Sequence, residues 1–288
     1  MSIKDSKVTI GMPVYQAEKT LRTALDSLLA QSYTNFELII SDNGSSDETS
    51  KICQEYATLD TRIKYVRQAV NIGAARNFEF VLNSATGKYF MWAAHDDTWS
   101  ADFIYSNLFF LDSNGDYIAS ICPVRYEDDD FEPLQMGDGS LISCTPERFE
   151  EFLRYPWHAN SRFYSLFRIE RLRQCPYLGK DFFGNDWAVM EYMVVAGKMN
   201  RVSGGFMIRG HQGVSNSGRL LGHYRTKWIH WFLPFYELSV EVLRMSSGFR
   251  TLHQIRILSA LVKINWCAWK ATMMELKAEV VRRISTAR

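Results

Sequence analysis

The sequence predicts an α/β protein, a doubly wound and mainly parallel sheet followed by a C-terminal helical extension. Three observations carry this expectation. Short apolar runs alternate with segments of helical periodicity through the first 122 residues. Several of those runs break off into polar, turn-forming loops. From Arg225 onward the pattern is helical, with no strand signal. Such alternation implies right-handed βαβ crossovers and parallel pairing.

Val8-Thr9-Ile10-Gly11-Met12 reads as a first strand closed by Pro13, and a helix follows from Glu18 to Gln31, where Leu21, Leu25, Leu28 and Leu29 recur at helical spacing. Phe36 to Ile40 is the second strand, and it breaks into Ser41-Asp42-Asn43-Gly44-Ser45-Ser46-Asp47. Asp47 is suited to cap the helix running through Cys53 and Tyr56. Ile63 to Val66 is a third strand and Gly73 to Asn83 a third helix. Lys88 to Ala94 is a fourth strand, Ala101 to Leu111 a helix, and Tyr117 to Cys122 a fifth strand. Further on, Pro146 to Tyr155 reads as a helix capped by Thr145, and Gly184 opens another through Val195.

With 288 residues, 47% of them hydrophobic, the chain has material for one large core or two modest ones. Met1 to Asp5 lacks the layout of a signal peptide, and no apolar run approaches the length of a membrane-spanning helix. Five scattered cysteines without a Cys-x-x-Cys pair fit a reducing cytoplasm and speak against zinc or a disulfide framework. The net charge of +1 conceals a division: residues 219–288 carry 12 Lys and Arg against four Asp and Glu, so the preceding 218 residues balance at −7. A basic end on an acidic body points toward an anionic surface, an ordinary solvated basic helix face being the plainer alternative.

The richest local signal is His95-Asp96-Asp97, directly after the apolar run Tyr89 to Ala94. A buried strand that stops at paired carboxylates delivers both acids to its carboxyl end, where open α/β sheets bind ligands. Adjacent carboxylates repel, so a cation or a ligand hydroxyl is expected to compensate them. Their hard oxygens suit Mg²⁺ or Mn²⁺, a solvated turn being the alternative. There is no Gly-x-Gly-x-x-Gly after the first strand and no Gly-Lys-Ser/Thr loop, which argues against a dinucleotide oxidoreductase and a P-loop NTPase.

Together, Met12-Pro13-Val14-Tyr15, Ser41 to Asp47, Asn71-Ile72-Gly73-Ala74-Ala75-Arg76-Asn77 and His95-Asp96-Asp97 resemble, in order and spacing, the family-2 glycosyltransferases of the GT-A fold. The resemblance covers roughly residues 7 to 215. It implies an inverting transferase that uses a nucleotide-diphospho-sugar and Mn²⁺ or Mg²⁺. By matching position, Asp42 reads the nucleotide base, Pro13 and Tyr15 line the base and ribose pocket, and Arg76 lies close to the nucleotide. Asp97 matches the metal ligand and Asp96 the ribose-side partner. Ala94 stands where many relatives have another acid, so metal binding is expected to need the donor's diphosphate.

Gly184-Asn185-Asp186-Trp187 resembles the family's acidic-Asp-Trp element, which makes Asp186 the catalytic base, a helix N-cap being its structural alternative. His211, ending the β run Met207-Ile208-Arg209-Gly210-His211, is the candidate late metal or diphosphate ligand, and Gln212 to Gly218 a segment suited to close over bound donor. Trp157 and His158 are candidates to face the acceptor, and Glu127 to Asp130 reads as a solvated hairpin tip.

The implied organisation is a nucleotide-sugar half over residues 1–122, an acceptor and base half over 123–218, and a basic, aromatic extension over 219–288. In that extension Trp and Leu beside Lys and Arg suit a membrane surface, a helical cap or a dimer interface. The resulting expectation is a cytoplasmic enzyme, peripheral on the inner membrane face, that serves surface polysaccharide synthesis. It would move a sugar to a hydroxyl of a glycan or lipid-linked acceptor, and no nucleic-acid partner is expected. The rival readings are a nucleotidyltransferase and a non-catalytic sugar- or nucleotide-binding relative of the same fold. The first normally has a basic Gly-rich loop after the first strand, which this chain lacks.

Overall fold

The computed structural model describes residues 6–126, 139–211 and 223–286. The acidic run at 127–130 and the segment 212–218 lie outside the described residues, as does the side chain of His158. The chain opens as β1 (Val8–Val14), α1 (Leu21–Leu29), β2 (Phe36–Asp42), α2 (Thr49–Leu59), β3 (Ile63–Arg67), α3 (Ala74–Asn83) and β4 (Tyr89–Trp92). It continues as β5 (Thr98–Trp99), α4 (Phe103–Ser113), β6 (Tyr117–Ile121), β7 (Val124–Tyr126), α5 (Thr145–Arg154), α6 (Pro156–Ala159), β8 (Leu166–Arg168) and α7 (Ile169–Arg173). Then come α8 (Asn185–Ala196), β9 (Lys198–Arg201), β10 (Met207–Arg209) and two long-range helices, α9 (Tyr236–Met245) and α10 (Thr251–Thr286).

A seven-stranded sheet runs β3-β2-β1-β4-β8-β6-β9, and β5-β10-β7 form a small second sheet. In the large sheet pairing is parallel except at β8, which is antiparallel to both β4 and β6, and in the small sheet β10 is antiparallel to β5 and parallel to β7. The expected α/β architecture with a helical extension is therefore present. Side-chain alternation along the strands splits the core into two layers. Leu38, Ile40, Tyr89 and Met91 pack with α1 and α4 on one face. Ile39, Phe90 and Trp92 pack on the other with Phe149, Phe167, Trp187 and the α9–α10 residues Leu238, Ile257 and Leu261. Trp92 anchors that second layer by stacking on Phe163 at 4.3 Å and donating its indole N–H to the Phe78 carbonyl.

Several boundaries differ from the sequence expectation for identifiable reasons. β1 does not stop at Pro13 but runs through Val14, paired to Asp42 of β2. The Gly11 carbonyl faces β4, so the nitrogen of Pro13, two residues on, faces the same side, beyond the last β4 pair at Trp92. A missing N–H costs nothing where no partner strand remains. The helix expected from Glu18 starts only at Leu21; ahead of it the backbone N–H groups of Ala17 and Glu18 are held by the Thr49 and Asp47 side chains. Position Glu48, not Asp47, precedes the first residue of α2, although Asp47 does accept the Thr49 N–H. Likewise Cys144, not Thr145, precedes α5.

Candidate active site

β1 is flanked by β2 on one side and β4 on the other, and each continues the chain away from it, so a topological switch point lies at the carboxyl end of β1. A crevice opens there in doubly wound sheets. Asp42 closes β2 beside Val14, and the loop after β4 carries Asp96 and Asp97. Two strand spacings separate these loops, about 10 Å.

On the β2 side the loops are tied to one another through side chains. Asp42 is fully buried; one oxygen accepts the Ser45 N–H at 2.9 Å, and the other takes the Ser50 and Tyr65 hydroxyls, with Arg67 3.6 Å away. Asn43 accepts the Ile72 N–H and donates to Asn71. Asn77 donates to the Ser41 carbonyl, which fixes the first turn of α3 against β2. Arg76 projects from that turn, exposed. Tyr15 is 46% exposed, and the next residue, Gln16, adopts a positive φ of 52°. The Gln16 amide oxygen accepts from the Ser46 and Asp47 N–H groups, which holds Tyr15 at the mouth of the crevice. A depression of about 400 Å³ between Gln16–Thr20, Ser46 and Asp47 is lined by none of the predicted site residues; it adjoins the crevice through Thr20, which hydrogen-bonds His95.

On the β4 side the geometry is different in kind. Asp97 is 2% exposed; its Oδ1 accepts the Gly210 N–H at 3.0 Å, while its buried Oδ2 has no partner among the described residues. Burial pushes its carboxyl up to about 7; Asp96 adds to this, while Arg209 and the Gly210 N–H pull the other way. A buried carboxylate oxygen left without a donor is costly, and such exceptions call for a missing cationic or hydrogen-bonding ligand. Gly210 is required by close approach, because a Cβ there would meet the Asp96 carbonyl oxygen at 2.2 Å. The neighbouring His211 is exposed.

Sequence reasoning took only the histidine from this run and missed Arg209, whose guanidinium lies over the rings of Tyr126 and Tyr164 at 5.9 and 5.4 Å. Burial opposes its charge, but Tyr164 and Asp97 outweigh that and hold it firmly protonated. Tyr164 was missed too. Burial raises its hydroxyl, Arg209 counteracts, and the charges of Asp97, Asp96 and Asp186 raise it further. Asp96, Asp97, Asp186, Arg209 and Tyr164 thus share one electrostatic neighbourhood. The signal for Arg209 was an arginine closing a short apolar run, a position where burial is exceptional unless the charge is paired.

Asp186 sits in the first turn of α8, half-buried, with its Oδ1 accepting the Trp187 N–H at 3.0 Å. The position before the helix belongs to Gly184 at φ 82°, so Asp186 is not the N-cap. The helix N-terminus stabilises its negative charge. Around it stand Trp187, Phe235 and Phe183, stacked at 4.2 to 4.8 Å, with Trp157 edge-on to Trp187 and 44% exposed. Aromatic faces of this kind pack well on sugar C–H groups. Burial, with Asp181 and Asp186, raises the neighbouring Tyr224 hydroxyl to about 12.

Among the described residues, no group of three or more His, Cys, Asp or Glu is arranged to hold a metal. The unpartnered Oδ2 of Asp97 nonetheless suits a hard divalent cation whose remaining ligands come from elsewhere.

The fold is similar to that of Staphylococcus aureus TarS 1-349 in complex with UDP-GlcNAc, with a TM-score of 0.66 and 17% identity over 89% of this chain and 71% of that one. It is also similar to the mannosyltransferase PcManGT from Pyrobaculum calidifontis in complex with GDP-Man and Mn²⁺, at a TM-score of 0.60 and 17% identity over 96% of this chain and 75% of that one. At these identities the likeness establishes the GT-A fold. Among curated proteins, glycosyltransferase GlyA of Streptococcus pneumoniae is 38% identical over 101 residues, 35% of this chain and 14% of GlyA. The Escherichia coli UDP-Glc:alpha-D-GlcNAc-diphosphoundecaprenol beta-1,3-glucosyltransferase WfgD is 37% identical over 98 residues, 34% of this chain and 38% of WfgD. The matched stretch is therefore a minor part of each relative's length. The sequence profile of the family described as Glycosyl transferase family 2 matches residues 9–185, more than half of the chain, which belongs to that family.

Proposed function

We propose that the protein transfers a sugar from a nucleotide-diphospho-sugar to a hydroxyl of a glycan or lipid-linked acceptor, with inversion and metal assistance. The observation that carries the proposal is the buried Asp97 with an unpartnered oxygen, in the same electrostatic neighbourhood as Asp186 at the switch-point crevice. In this reading the donor's base meets Asp42, whose Oδ1 accepts the Ser45 N–H and, among the described residues, no other donor, which keeps lone-pair capacity for a ring N–H. Pro13 and Tyr15 line the base and ribose pocket, Arg76 approaches the nucleotide and Asp96 takes the ribose side. Mg²⁺ or Mn²⁺, held by Asp97 and His211 together with the donor, would supply positive charge against the departing diphosphate.

The chain's own residues do the rest. Asp186 accepts the proton of the acceptor hydroxyl as that oxygen attacks the anomeric carbon. A carboxylate in a helix first turn, it also favours the oxocarbenium-like charge of the transition state. Arg209 and Tyr164 hold the Asp97 side of the crevice in place and keep water from its inner wall. Trp157, 44% exposed and backed by the buried Trp187, offers the acceptor a stacking face. The lipid-linked acceptor named for the Escherichia coli relative supports placing this activity at the inner face of a membrane, in surface polysaccharide synthesis. Family membership leaves the nucleotidyltransferase reading without support.

Thermal unfolding with UDP, GDP and dTDP, each with and without Mn²⁺, tests the proposal. One of them is expected to stabilise the protein only when metal is present. Stabilisation by none removes the basis for sugar transfer.

A further inference from the structure

We propose that the outward face of the α9–α10 hairpin is a docking surface for an anionic lipid bilayer, lying in the headgroup plane. The inference rests on the reading above for its purpose, since a lipid-linked acceptor would be met there, but it stands on residues outside the transfer site.

α10 presents two distinct faces. Ile257, Leu261, Ile264 and Ala268, spaced four, three and four, are buried in the core that also contains Phe149 and Trp187. This face is the helical cap anticipated from the sequence. The opposite side is not covered: Ile255, Val262 and Trp266 are 59, 63 and 52% exposed. Arg256, Lys263, Lys270 and Lys277 recur every seven residues. At about 100° per residue they form a row roughly 70° around the axis from those exposed apolar side chains. Between Thr251 and Met274 there is no Asp or Glu. Arg256 reaches Glu150 at 3.4 Å, Lys270 lies over the Trp266 ring at 5.1 Å, and Lys263 and Lys277 have no ion pair among the described residues.

α9 widens the apolar strip. It runs antiparallel beside α10, with Asn265 bonded to the Phe235 N–H and Ser239 and with Gln254 bonded to the Ser246 and Ser247 carbonyls. Helical spacing puts its half-exposed Val240 and Leu243 on the α10 side, and puts Glu237 and Glu241 on the far side, where they pair with Lys227 and Arg244. Just ahead of α9, Trp228 and Phe232 are 75 and 65% exposed. Of the 23 large apolar side chains exposed among the described residues, 13 lie between Trp228 and Met274. That concentration is far from the scattered singles of an ordinary surface.

An apolar strip bearing tryptophans, flanked along its length by an acid-free basic row, is the pattern of a helix adsorbed at a membrane interface. No helix among the described residues is long and apolar enough to cross one. Charge selects the occupant. A second copy of the chain would bring no carboxylate from this strip to meet Lys263 and Lys270, whereas phosphatidylglycerol headgroups would.

The test is co-sedimentation of the full chain with vesicles of phosphatidylcholine, alone or with one-third phosphatidylglycerol, alongside sedimentation velocity without lipid. The protein is expected to bind only the anionic vesicles and to be released by high salt. Each basic residue near an anionic surface contributes about fivefold, so K263Q/K270Q should lower partition on the order of 30-fold. W266S should weaken binding at all salt concentrations. Equal binding to neutral vesicles, no binding, or a lipid-free dimer abolished by W266S would overturn the proposal. Metal-dependent nucleotide stabilisation, measured on the same samples, separates the two readings: its persistence without vesicle binding sinks the docking surface alone, and its loss with vesicle binding intact sinks the transfer reading alone.

Discussion

Replacing Asp97 by Asn should change stability and ligand binding in opposite directions. The two side chains are nearly isosteric, and the amide oxygen retains the acceptor for the Gly210 N–H at 3.0 Å. What disappears is a negative charge on a carboxylate that is 2% exposed and has one oxygen without a partner. Removing a buried charge that Arg209 only partly offsets is worth several kcal/mol, and the unpaired amide N–H₂ left behind, with the loss of a partner for Arg209, takes part of that back. The net expectation is a metal-free variant more stable than wild type by about 1–3 kcal/mol. For a chain of this size each kcal/mol moves the midpoint by roughly 2–4 °C. Nucleotide and Mn²⁺ at 100 times Kd should add about 2.7 kcal/mol to the wild type and no metal-dependent increment to the variant. Differential scanning fluorimetry at mildly alkaline pH, with four samples per protein, reads both effects. A variant that melts below wild type without ligands, or that gains the same metal-dependent increment, refutes the reasoning that Asp97 is strained by burial in order to hold a cation.

Asp186→Asn should leave metal-dependent nucleotide stabilisation intact while lowering turnover roughly 10²- to 10⁴-fold, as measured by release of nucleoside diphosphate with acceptor present. Gly210→Ala forces a Cβ against the Asp96 carbonyl and should weaken donor binding more than it weakens fold stability; unchanged titration of nucleotide by calorimetry would contradict this. Glu37 offers a pH test away from the site. Burial alone would raise its carboxyl, but hydrogen bonds from Lys64, Thr86, Thr9 and Lys7 outweigh it and hold the group well below its ordinary value of 4.5. A depressed carboxyl contributes stability that is full above that value and is lost as pH falls below it. Urea unfolding of Glu37→Gln should show a deficit of roughly 2–3 kcal/mol at neutral pH that shrinks below pH 4.5; a deficit independent of pH would show the group acts by shape alone.

The parts of this protein written plainly in its sequence are those that local pattern specifies. β1 to β4 and the intervening helices follow from apolar alternation, leucine spacing and turn chemistry, and all four strands occur near their expected positions. Asp97 was visible because a fully apolar strand ends just before it. β8 and β9 were not seen: three or four residues such as Leu166-Phe167-Arg168 have no period of their own and become strands only through pairing with β4 and β6. The same holds for β5 and β7, whereas β10 was legible as the β run from Met207; their small sheet fastens the Arg209–Gly210 run beside Asp97. Arg209 was passed over because an arginine at a strand end ordinarily reads as solvated, and only the fold brings Tyr164, Tyr126 and Asp97 around it. The two faces of α10 also needed the structure, since Ile257 and Ile255 are equally apolar in sequence while only the first is buried.

The most direct measurement is mass spectrometry of the products released when a panel of nucleotide-diphospho-sugars is incubated with the protein, Mn²⁺ and a saccharide acceptor. The account predicts free nucleoside diphosphate from one donor, together with a glycosylated acceptor, both absent for Asp186→Asn. Release of pyrophosphate in its place, or equal release by wild type and Asp186→Asn, would contradict it.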